Sequence, residues 1–103
     1  MKKEIEQNMT SIKEALKNKA LEITKEKYEV ENRGEHYFRI APHYLAFRED
    51  ILECFYTGRK DNTDFYFQIF APSEHQNEIA NFCFQFFQLE GDITHRITGF
   101  SNW

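Results

Sequence analysis

Glycine and proline are scarce in this chain, four and two residues out of 103. Most of it should therefore be helix or strand rather than loop. No two of Gly34, Gly58, Gly91 and Gly99 stand close enough to build a phosphate-cradling loop, which removes the nucleotide-binding classes that depend on one. Cysteine is limited to Cys54 and Cys83, enough for one disulfide at most. Both sit among apolar neighbours in segments read as helices, so buried free thiols are expected. The histidines are His36, His43, His75 and His95, with no HxxxH or CxxC spacing to demand zinc. No metal and no cofactor is expected. No apolar run approaches the roughly 18 residues that a membrane-spanning helix needs. The opening "MKKEIEQNMTSIKEALKNKA" has no apolar core of a secretory signal, so the expected address is the cytoplasm.

What is abundant is aromatic. Phe, Tyr and Trp make up 17% of the chain, dominated by eleven Phe, while hydrophobic residues reach 41% and charged residues 29%. That balance is globular rather than disordered, and the length suits a single domain, residues 1–103. Net charge is −4. Acidity argues against nucleic acid as a partner and permits a basic protein.

Along the chain, residues 3–27 read as a long amphipathic helix. Ile5, Met9, Ile12, Leu16, Ala20 and Ile23 recur every three or four positions. Core packing is the simplest use of that narrow stripe, and a homodimer seam is the alternative. "YEVENRGEHYFRIA" reads as a hairpin turning at Asn32-Arg33-Gly34, with Phe38 and Ile40 alternating against Tyr37 and Arg39. "HYLAFREDILECFY", 43–56, is expected to be a helix opened by Pro42 and ended by Gly58. Its rival is two strands, 43–48 and 51–57, disfavoured by poor alternation and few β-branched residues. "GRKDNT" reads as a polar loop. "DFYFQIF", 64–70, reads as a central strand with Phe65, Phe67 and Ile69 on one face and Tyr66, Gln68 and Phe70 on the other. A last helix should run from Ser73 to about Leu89, with Ser73 and Gln76 forming a capping box and Gly91 as the stop. The final strand is read as "DITHRIT", 92–98, ended by Gly99. The expected class is α+β in the order α-β-β-α-β-α-β, with a mainly antiparallel four-stranded sheet and helices largely on one face.

The functional candidates are few. On a helical wheel Arg48 falls inside an apolar arc, where a guanidinium needs either an internal carboxylate or a partner. Glu49, Asp50 and Glu53, with Asp61 and Asp64 beyond, could form an acidic docking patch, although an ordinary solvated face is the simpler reading. Trp103 at the end of the sequence supplies an aromatic anchor. His95, flanked by Ile93 and Ile97, is expected to be a core histidine. A small hydrolase or nuclease using His95 with His36, His43, Arg39 or Arg48 is the enzymatic alternative. No catalytic motif supports it, so a non-enzyme is expected. Small size, acidity and surplus aromatic surface suit a bacterial protein that inhibits a protein partner by covering it. Its concrete forms are a toxin-neutralising immunity protein, whose target is a basic toxin or nuclease, and a phage-type inhibitor of a host defence protein. A structural homodimer through the first helix is the third possibility.

Overall fold

The computed structural model describes residues 2–44, 49–91 and 96–100, and side chains for 10–44 and 49–91. The chain is α+β. Its elements are α1 (Lys2–Thr24), β1 (Tyr28–Gly34), β2 (Tyr37–Pro42), β3 (Leu52–Lys60), β4 (Thr63–Ala71), α2 (Ser73–Phe87) and β5 (Arg96–Phe100). The five strands form one mixed sheet in the order β1-β2-β4-β3-β5. Three of the pairings are antiparallel and β2–β4 is parallel, so the sheet is mainly antiparallel with β4 at its centre, as the two apolar faces of that strand suggested.

Alternation along each strand sends one set of side chains toward both helices. Tyr28 and Val30, Phe38 and Ile40, Cys54 and Tyr56, and Phe67 and Ile69 form one buried cluster with Leu16 and Ala20 of α1 and Ile79, Ala80, Cys83 and Phe84 of α2. Both helices thus pack on the same face. The described part of the α1 stripe, Ile12 to Ile23, is spent on this core. The Phe38 and Phe67 rings stack across the parallel seam at 5.8 Å.

The main correction concerns residues 43–57. There is no helix at 49–57: β3 runs from Leu52 to Lys60 and makes nine register pairs with β4. Pro42 closes β2, and Gly58 lies within β3 rather than past a helix end. A wheel arc that counts Phe55 as core looks continuous. The strand instead buries Cys54, Tyr56 and Gly58 and turns Glu53, Phe55 and Thr57 the other way. The apolar β4 needs a partner on each edge, and tertiary pairing outweighs weak local propensity. Gly58 read as a cap, and Cys54 read as helical, concealed the period of two.

The same hairpin converts "GRKDNT" from loop to strand and turn. Asp61 and Asn62 have φ of 50° and 66°, the paired left-handed geometry of a two-residue type I′ turn joining Lys60 to Thr63. The first hairpin turns at Glu35-His36, with His36 at φ 61°, and Asn32–Gly34 form a bulge in β1 instead of the turn. The sheet consequently has five strands rather than four.

The helix ends also differ from expectation. The residue at the N-cap of α2 is Pro72 and no side chain caps it. Gln76 points into the core instead of back to Ser73: it is 4% exposed and binds strand carbonyls. At the other end Gln88 takes φ 57°, and the N–H groups of Gln88 and Leu89 donate to the Gln85 and Phe84 carbonyls. That is a Schellman closure made without glycine, two residues before Leu89 was expected to end the helix. Glu90 then exchanges backbone hydrogen bonds with Arg59, at 2.7 and 2.9 Å, which ties the end of α2 to β3. β5 begins at Arg96 and continues through Gly99, which pairs with Glu53 rather than ending the strand. Residues 92–95, including His95, lie outside the described set.

Candidate functional site

The second set of strand side chains faces away from the helices and forms the candidate site. Three rows cross the sheet. One contains Tyr37, Tyr66 and Thr57, in register across β2, β4 and β3. The next contains Glu31, Arg39, Gln68 and Phe55. The third contains Glu29 and Ala41 on the first hairpin and Phe70 and Glu53 on the second.

Polar contacts hold this face in place. The Arg39 guanidinium lies 4.7 Å from the centre of the Phe70 ring and 3.7 Å from Glu31. Ring and carboxylate together fix a group that would otherwise sample many rotamers. Arg33 reaches the same Glu31 oxygen at 3.2 Å. Gln68 Nε2 donates to Glu53 Oε2 at 2.6 Å, tying β4 to β3. His43 Nδ1 and Glu29 Oε2 are 3.1 Å apart at the far end of β1. Tyr37 and Tyr66 make a tilted pair with centroids 6.1 Å apart, and Tyr66 is 43% exposed. Below Arg39, the buried Ala41, Ile51 and Phe70 form a second small cluster that is separate from the main core.

The expected acidic patch is dispersed. Glu49 and Asp50 are exposed just before β3, and Asp61 is in the turn at its other end. At about 3.3 Å per strand residue, roughly 30 Å separates the two ends. Glu53 sits within the outer face, bonded to Gln68. Asp64 lies toward the turn, 3.2 Å from Arg59 directly across the ladder. A helix would have gathered 49, 50 and 53 on one side, whereas a strand stretches them out. Arg48 and Trp103 lie outside the described residues.

Of the histidine alternative, His36 and His43 are set apart, and His95 and Arg48 lie outside the described residues. His36 occupies the β1–β2 turn with its ring 4.6 Å from Phe65, while His43 follows the opposite end of β2. The six-residue strand between them spans about 20 Å. Arg39 is in the middle of that strand, engaged with Glu31 and Phe70. Among the described residues, no group of three or more His, Cys, Asp or Glu side chains is placed to hold a metal ion. No described helix is long and apolar enough to cross a membrane.

Both cysteines are free and buried. Cys54 is on β3, where burial raises its thiol pKa; the nearby Glu53 charge adds to this and a hydrogen bond with Tyr56 opposes it. Burial pushes the Cys83 thiol up much further. Both are therefore thiols rather than thiolates at neutral pH, which is the unreactive form.

Tyr37, Tyr66 and Gln68 were not singled out as site residues from sequence, and Arg39 was considered only as part of an enzymatic site. Their signal was present in the alternation of "YFRI" and "DFYFQIF". What was missing was which sheet face the helices would cover.

No family model matches the chain, no curated protein matches it, and no solved structure matches it.

Proposed function

We propose that this is a small acidic binding protein that inhibits a basic protein partner by covering its surface, with the outer sheet face as its contact area. One observation carries the reading: Tyr37, Tyr66 and Arg39 stand together on a sheet face opposite both helices, Arg39 held by Glu31 and Phe70. Tyrosine and arginine are the residue types that most often dominate protein interfaces, and a side chain already fixed loses less freedom on binding. The net charge of −4 supports a basic target, since opposite charge accelerates encounter. A toxin-neutralising immunity protein of the bacterial cytoplasm, acting on a basic toxin or nuclease, is the concrete form. A phage-type inhibitor of a host defence protein would use the same face in the same way. Both forms rest on size, acidity and surface composition.

The test is quantitative affinity capture from the native host with three baits: the unaltered chain, a Tyr66→Ala/Arg39→Ala variant, and Glu78→Ala on the exposed side of α2 as a control. A basic protein held by the first and third baits and lost from the second is the expected result, followed by inhibition of that protein's activity by the unaltered chain alone. Identical protein sets on all three baits would refute the assignment of the sheet face.

A further inference from the structure

We draw no further inference here: the strongest candidate, a cavity of about 210 Å³ between α1 and the start of β1 lined by Glu14, Lys17, Asn18, Leu21, Lys27 and Tyr28, carries nothing because its cations are on solvent-accessible lysine side chains, Lys17 already lies 3.6 Å from Glu14, and no second feature points to a ligand.

Discussion

Tyr56 donates its hydroxyl proton to Gln76 Oε1 at 2.7 Å inside the main core, bringing together a strand residue and a helix residue 20 positions apart. The Gln76 amide nitrogen in turn donates to the carbonyls of Leu52 at 2.6 Å and Ile69 at 2.9 Å, with Ala71 at 3.3 Å. One amide thus closes the ends of β3 and β4 and fastens α2 to them. Removing one partner of a buried hydrogen bond costs about 1–3 kcal/mol through the group left behind. Gln76→Ala should lower the unfolding free energy by about 3 kcal/mol and Tyr56→Phe by about 1–2 kcal/mol. Urea titration of the two variants and of their combination checks this. The double loss should fall short of the sum, because both variants break the same bond. Strict additivity would mean the contact contributes nothing.

Gly58 packs tightly against the last turn of α2 and the Leu89 that follows it. A Cβ at this position would lie 2.8 Å from both Cβ and Cδ1 of Leu89 and 3.0 Å from Phe84 Cε2. Leu89 is held by its own backbone bond to Phe84 and by the neighbouring Arg59–Glu90 bridge, so it has little room to retreat. Gly58→Ala should therefore destabilise by about 1–3 kcal/mol through overpacking. An unchanged thermal midpoint would show that the end of α2 slides freely over β3.

The sheet-face reading separates binding from folding. Tyr66 is substantially exposed and its ring contact with Tyr37 is a surface one. Tyr66→Ala should change stability by less than about 1 kcal/mol. It should weaken partner binding tenfold or more, equivalent to about 1.4 kcal/mol. Calorimetric titration of the captured partner reads the second quantity and denaturation the first. Raising salt should slow association more than it speeds dissociation. A salt-independent on-rate would remove the electrostatic part of the proposal.

The buried thiols make stability depend on alkaline pH in a defined direction. Burial raises both thiol pKa values in the folded chain above those of the unfolded one. Their contribution is fully present below the unfolded thiol pKa of about 8.5. Above it the unfolded chain has lost protons that the folded chain retains, so stability falls as pH rises toward the folded pKa, by at most about 1.4 kcal/mol per pH unit for each thiol. Urea midpoints at pH 7.5 and 9.5, compared between the unaltered chain and Cys83→Ala, isolate the effect: the variant should lose less on going alkaline. In the native state a disulfide reagent should leave Cys83 unmodified, and urea should expose it.

Much of this fold is legible in the amino-acid order, and the failures share a cause. α1, β2, β4 and α2 were legible because their apolar spacing is unambiguous over enough residues. Residues 43–57 were not. Cys54 and Gly58 contribute little hydrophobicity to a strand's inner face, while Leu52 and Phe55 give a helical wheel enough to look continuous. The error carried into the site. Helical spacing gathers Glu49, Asp50 and Glu53, whereas extended spacing separates them, and the true grouping of Arg39 with Gln68 and Glu53 requires knowing that β2 lies beside β4. Gln76 shows a similar limit. Its spacing from Ser73 fits a capping box, and only the strand carbonyls facing it explain why the side chain turns inward.

The parallel seam has a kinetic consequence. The two hairpins, β1–β2 and β3–β4, each close over two turn residues and need little chain to be gathered. Joining them places Phe38 beside Phe67, nearly thirty positions along, with an entire strand of the second hairpin lying between them in sequence. This joint closes a longer loop than either hairpin, as does the β3–β5 pairing of Leu52 with Phe100, so docking of the two ribbons is expected to slow refolding. Shaving either ring at the seam should slow refolding more than an equal loss of core volume beneath α1.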